Sequence, residues 1–131
     1  MTFSDKVFEL QKENPQDVIL IRNGIFFVAV GKDAVFLNEK LKLKCTCFKK
    51  GICKVGFLVK TAEKYIKKMK EEDISFKMYI LNEEKDEELL IDHKGKLESK
   101  YKQHFLKCSE CKNKKETDED IIEKLKKLNK D

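Results

Sequence analysis

The sequence predicts an α/β (α+β) fold, a mixed central β-sheet flanked by helices, with a helical extension at the C-terminus. Three observations carry this. Apolar runs of strand length, bounded by turn residues, alternate with segments whose apolar residues recur at helical spacing. The 131 residues are 40% hydrophobic and 40% charged, which is room for one core rather than two. Beyond Leu81 the composition changes to blocks of opposed charge. The expected organisation is therefore an α/β domain over 1–92 and a basic helical extension over 93–131.

Residues 3–13 place Phe3, Val7 and Leu10, with Phe8 nearby, on one side of a helix. This helix stops at Asn14-Pro15, because proline disfavours helix in the residue before it. Val18 to Ile21 and Ile25 to Val30 are two apolar runs separated by Arg22-Asn23-Gly24, and Asn-Gly is a strong hairpin signal. The second run is apolar on both faces, which places it in the middle of a sheet. Residues 33–41 gather Ala34, Val35, Leu37 and Leu41 on one face of an amphipathic helix. Lys42 to Phe48 alternates lysine with Leu43, Cys45 and Cys47, and Cys53 to Leu58 forms a further strand after a turn at Lys49-Lys50-Gly51.

Thr61 caps a helix carrying Ala62, Tyr65, Ile66 and Met69, and Ser75 to Leu81 closes the series as a strand. Asn82 to Asp92 holds six acids against Lys85 and reads as a solvated acidic turn. Lys94 to Lys115 holds eight lysines against Glu98 and Glu110, with Leu97, Tyr101, Phe105 and Cys108 at helical spacing. Thr117-Asp118-Glu119-Asp120 opens a last helix with Ile121, Ile122, Leu125 and Leu128 facing inward.

No apolar run is long enough to span a bilayer, and the N-terminus lacks the apolar core of a signal peptide, so the expected location is cytoplasmic, with no membrane partner. The formal charge of +5 favours polyanionic partners. Of the 29 basic residues only Arg22 is arginine, so lysine number alone carries little and its placement matters more. Five cysteines without a secretory signal point to reduced thiols, with metal binding second.

The stretch Arg22-Asn23-Gly24-Ile25-Phe26-Phe27-Val28-Ala29-Val30-Gly31-Lys32-Asp33-Ala34 resembles R-x-G-D-F-Y-E-x-F-x-x-D-A of the N-terminal mismatch-recognition domain (domain I) of the MutS DNA mismatch-repair family. Leu43 to Cys47, Cys53 to Leu58, Ala62 to Met69 and Phe76 to Ile80 occupy, in order, the places of that domain's later strands and helix. The resemblance spans roughly the first two thirds of the chain and implies a MutS domain I-like fold. It also implies that Phe26 stands where the family's phenylalanine wedges into the minor groove and stacks on a mispaired base. The glutamate that hydrogen-bonds that base is replaced by Val28, and the acid before the wedge by Ile25. A valine cannot read a base edge, whereas an apolar wedge needs no base readout to unstack and kink a duplex.

The expected function is a non-catalytic nucleic-acid-binding module, independent of ATP, with mismatch discrimination reduced or absent. DNA is the expected partner and RNA the second. Gly31-Lys32-Asp33 lacks the glycine-rich turn and the Ser/Thr of a phosphate loop. Arg22 is either a phosphate contact or a solvated turn residue, and Phe26 or Phe27 is the stacking residue. Lys40, Lys42, Lys44, Lys49, Lys50 and Lys54 form a block without an intervening acid, read either as a phosphate-tracking stripe or as a soluble strand face. The alternative is a protein-interaction accessory subunit of a larger nucleic-acid machine, such as the reverse transcriptase of a mobile element.

Two chemical readings remain. Cys108-Ser109-Glu110-Cys111 has zinc-knuckle spacing, and His104 lies four residues before Cys108. That is half a zinc site, which His93 or Cys45, Cys47 and Cys53 would have to complete; unliganded thiols are the competing expectation, and no other cofactor is indicated. Glu88, Asp92 and Lys94 make a loose acid, acid-x-lysine pattern of the kind that holds a divalent cation in nucleases, a spacing that arises readily in so charged a chain.

Overall fold

The computed structural model describes residues 2–99, except 50, 51 and 85, together with 122, 125 and 126. The elements are α1 (Phe3–Glu13), β1 (Val18–Asn23), β2 (Phe26–Val30), α2 (Lys32–Leu41), β3 (Thr46–Lys49), β4 (Ile52–Leu58), a 3-10 turn (Val59–Thr61), α3 (Ala62–Glu71), β5 (Phe76–Leu81) and β6 (Glu87–His93). The strands form one sheet in the order β3-β4-β2-β1-β5-β6. β1 and β5 run parallel and every other neighbouring pair is antiparallel, so the mixed α/β (α+β) sheet read from the sequence is the one that forms.

Helices cover both faces of this sheet. On one face Val18, Leu20, Phe27, Ala29, Phe57, Phe76 and Met78 meet Ala34, Phe36 and Leu37 of α2 and Ala62 and Met69 of α3. On the other, Ile19, Ile21, Val28, Val30 and Tyr79 meet Val7 and Leu10 of α1. The run Val18 to Ile21 is apolar without alternation because its successive side chains serve two cores. Fully burying each such side chain contributes about 1.5–3 kcal/mol.

α1 begins with a reciprocal cap. The Thr2 hydroxyl accepts the Asp5 N–H at 3.2 Å and the Asp5 carboxylate accepts the Thr2 N–H at 3.3 Å. These bonds hold the Asp5 carboxyl below the ordinary aspartate value. At the other end the Asn14 side chain donates to the Leu10 carbonyl at 2.9 Å, just before Pro15. On the same face, burial pushes the Tyr79 phenol above its ordinary value, with Asp92 adding to it.

The β1–β2 turn differs in register from the expected one. Asn23 pairs with Phe26, so Gly24 and Ile25 are the turn residues. Gly24 has φ +63°, a positive value at the first central position, as in a type II′ turn. A Cβ at Gly24 would meet nothing within 4 Å, so a substitution there costs backbone strain alone. Gly24→Ala should lower stability by about 1 kcal/mol, seen as a shifted urea midpoint with an unchanged slope; a midpoint at or above the parent's would contradict the turn assignment.

Three further expectations are corrected. The strand expected from Lys42 begins only at Thr46, because Lys42 takes a left-handed conformation at the end of α2 (φ 59°) and the Asn38 side chain closes the turn on the Leu43 carbonyl at 2.7 Å. The acidic stretch expected as a turn contains β6, an edge strand with an irregularity opposite Met78/Tyr79. Charged side chains and bulges are how exposed edges are kept from pairing with other chains, which is why the segment does not read as a strand. Leu97 does not lie in a helix but bridges to Ile74 in parallel.

Packing also runs past the expected boundary at Asp92. The Leu97 N–H donates to the Asp73 carbonyl at 2.8 Å, Ser75 N–H to the Leu97 carbonyl at 2.9 Å, and Ser99 N–H to the Gln16 carbonyl at 3.0 Å. Buried Ser99 also donates to Asp33 at 2.8 Å. In the last helix Ile122 and Leu125 are exposed, not turned inward, with Leu125 58% accessible.

Candidate nucleic-acid interface

One end of the sheet carries an unusual surface. β1 and β2 meet there at Gly24-Ile25, and β4 ends beside them, with Leu58 opposite Phe26 in register. The Val59 N–H donates to the Ile25 carbonyl at 2.8 Å, tying the segment after β4 to the hairpin tip. Ile25, Phe26 and Leu58 are 65%, 43% and 37% accessible and form an apolar cap at this end. Phe26 has no ring partner among the described residues. This exposure is the condition that a stacking residue must meet.

Phe27 does not meet it. Its side chain points to the opposite face, 3% accessible, with its ring 5.9 Å from that of Phe57. The sequence could not separate the two phenylalanines because the run is apolar throughout; strand alternation and the two-residue turn assign one to solvent and one to the core.

Val28 shares the Phe26 face, two residues on, and is 8% accessible. It stands opposite Gly56, where an added Cβ would lie 3.0 Å from the Phe27 carbonyl oxygen and 3.7 Å from a Val28 methyl. Val28 is thus part of the apolar floor beneath Phe26.

Arg22 is exposed and donates its Nε–H to the Gly24 carbonyl at 3.1 Å, bracing the turn. It pairs with Phe27 and so belongs to the α2/α3 face, opposite Phe26. The lysines expected as one stripe are dispersed. Lys40 sits in the last turn of α2, and Lys42 and Lys44 in the segment after it, all exposed and none in a strand. Lys54 pairs with Val30, four residues down β4 from Leu58, roughly 13 Å from the tip at ordinary strand rise. Lys49 is farther still and its ammonium meets the Ser4 hydroxyl at 3.1 Å. Lys50 lies outside the described residues.

A second set of lysines did not emerge from the sequence. Lys60, Lys64, Lys67 and Lys68 are exposed along the 3-10 turn and α3, beginning two residues after Leu58. Their i, i+4, i+7, i+8 spacing is the signal the sequence carries, beside the stronger apolar period of Ala62, Tyr65, Ile66 and Met69.

Other candidate chemistry does not converge. Glu88 is in register with Ile80 and Asp92 with Lys77, positions of opposite face. The Asp92 carboxylate is 3.9 Å from the Lys77 ammonium, and Lys94 reaches Asp17 at 3.5 Å. Cys53 is buried in the core opposite Cys47, and the Cys47 thiol approaches the Lys49 carbonyl at 3.4 Å. His104, Cys108 and Cys111 lie outside the described residues. Among the described residues no three His, Cys, Asp or Glu side chains gather to hold a metal, and no helix is long and apolar enough to cross a membrane. The Lys32 ammonium is bound at 2.8 Å to Asp33, so Gly31-Lys32 is engaged inside the fold.

The sequence model of the MutS domain I family matches residues 2–109, most of the chain. No curated protein matches the sequence significantly. The matched span takes in the exposed hairpin tip, the glycine-floored sheet end and the segment packed through Ser99, and on that evidence the chain belongs to the MutS domain I family.

Proposed function

We propose that the protein is a non-catalytic nucleic-acid-binding module that stacks Phe26, flanked by Ile25 and Leu58, against a base or an opened base step, with DNA as its partner. The carrying observation is the exposure of Phe26, beside Ile25, at the tip of a hairpin whose strand residues Val18 to Ile21 and Phe27 to Val30 are buried. An apolar wedge of this kind unstacks and bends a duplex for a few kcal/mol without reading base edges. Val28 stands in the floor of the site and offers neither donor nor acceptor, so the module does not discriminate mismatched from matched duplexes. Arg22, Lys40, Lys42 and Lys44 supply exposed positive charge for phosphates. Binding is independent of ATP, because Lys32 is occupied by Asp33 rather than presented to a nucleotide.

Fluorescence anisotropy with matched, mismatched and bulged DNA and an RNA duplex, across a salt series, tests this. The expected result is binding that weakens with salt, with matched and mismatched affinities within about twofold. Phe26→Ala should weaken binding about tenfold, the scale of one base–aromatic stack, while Phe8→Ala, on the exposed side of α1, leaves it unchanged. A clear mismatch preference would overturn the account of Val28. Absence of binding to every probe at low salt would overturn the nucleic-acid reading and leave the apolar cap as a contact for a protein partner.

A further inference from the structure

We infer that the outward face of α3 is a phosphate-binding track, continuous with the hairpin tip, which receives the sugar-phosphate backbone of the nucleic acid engaged by Phe26. This rests on the function proposed above and locates its electrostatic half.

The track starts at Lys60, in the 3-10 turn between Leu58 and α3. Because the Val59 N–H is bonded to the Ile25 carbonyl, the start is held against the tip rather than on a free loop. From there Lys64, Lys67 and Lys68 follow within α3, at spacings of three and one residue that place these three on one side of the helix. The opposite side, Ala62, Tyr65, Ile66 and Met69, packs into the core, so the lysine side is the outward one. All four lysines are exposed, and none makes an ion pair among the described residues.

Tyr65 narrows the geometry. Its ring stacks on Phe57 with centroids 4.7 Å apart and planes 18° from parallel, which fixes it against the sheet. The Lys64 and Lys68 ammonium groups lie 5.7 and 5.5 Å from the centre of that ring. Two like charges are thereby drawn toward one aromatic surface, one helical turn apart, with no acid of the described residues between them. Like charges at i, i+4 destabilise a helix on their own account, and a polyanion relieves that repulsion. A nucleic acid fits this row better than a small anion, because the charges are spread along about two turns of chain.

The test reads salt dependence. Neutralising one phosphate contact lowers the slope of log K against log salt by about 0.9 for duplex DNA. Lys64→Gln, Lys67→Gln and Lys68→Gln combined should reduce the slope by about 2–3, and Lys64→Gln alone by about one. Lys49→Gln with Lys54→Gln, in β3 and the start of β4 away from the tip, should leave it unchanged. Phe26→Ala should lower affinity at all salts with the slope retained. If the parent binds with a steep slope that the triple variant keeps while circular dichroism shows it folded, the α3 track is wrong and the nucleic-acid reading stands. If the parent binds no probe, both fall together.

Discussion

Asp33→Ala should destabilise the domain by about 3–5 kcal/mol, the scale of removing one partner from a buried charge pair. Asp33 is fully buried in the first turn of α2 and accepts four hydrogen bonds. One oxygen accepts from the Gln11 amide at 3.0 Å and the Ile19 N–H at 3.1 Å, and the other from the Lys32 ammonium and the Ser99 hydroxyl, both at 2.8 Å. One side chain thus joins α1, β1, α2 and the segment after β6. Alanine would strand the Lys32 ammonium, whose side chain is only 16% accessible, and deprive the Ile19 N–H of this carboxylate. Ser99→Ala removes a single bond and should cost about 1 kcal/mol. Urea denaturation followed by circular dichroism measures both. A loss below 1 kcal/mol for Asp33→Ala would show that the network is dispensable.

Gly95→Ala should cost about 3 kcal/mol, the upper range for overpacking, because its Cβ would fall on the Asp73 carbonyl and lie 2.8 Å from the Ile74 carbonyl carbon. Both obstacles are backbone, so no rotamer change relieves them. Gly95 also donates to the Ser75 hydroxyl at 3.0 Å, next to the paired Leu97–Asp73 and Ser75–Leu97 bonds. Alanine should therefore loosen the stretch 94–99 first, and hydrogen exchange at the Leu97 and Ser99 amides should accelerate more than at Leu20 in the central strand. Unchanged protection together with stability within about 0.5 kcal/mol of the parent would refute the close approach.

The two variants test the same junction from opposite sides, and neither effect is visible in the local sequence. Gly95 sits between two lysines in what reads as a basic extension; only its passage across Asp73–Ile74 makes it indispensable. Asp33 reads as a helix-start acid, and its burial follows from the convergence of Gln11, Ile19 and Ser99, which are 22, 14 and 66 residues away in the chain.

Elements with a strong period were legible. α1, α3 and the central strands announce themselves because burial on one helix side, or on both sheet faces, dictates which positions must be apolar. The family likeness over Arg22 to Ala34 was legible for a similar reason, since an ordered set of residues across several elements is far more specific than any one of them. β6 was not legible, because an edge strand is shaped by the need to avoid partners as much as by a core, and its acids look like a solvated turn. Lys42 and Lys44 share no strand face with Lys49 and Lys54, because a left-handed Lys42 keeps that segment out of the sheet until Thr46.

At the candidate site the same division holds. The sequence by itself determined that position 26 is an aromatic in a hairpin, that position 28 carries no base-reading group, and that the chain is a MutS domain I-like sheet with helices on its faces. Tertiary structure alone decided that Phe26 rather than Phe27 faces solvent, that Leu58 and Ile25 join it, and that the segment carrying Lys60 is tied to the same tip through Val59. The physical reason is that residue type and period are local properties, whereas exposure depends on strand register and on which distant segment covers each face.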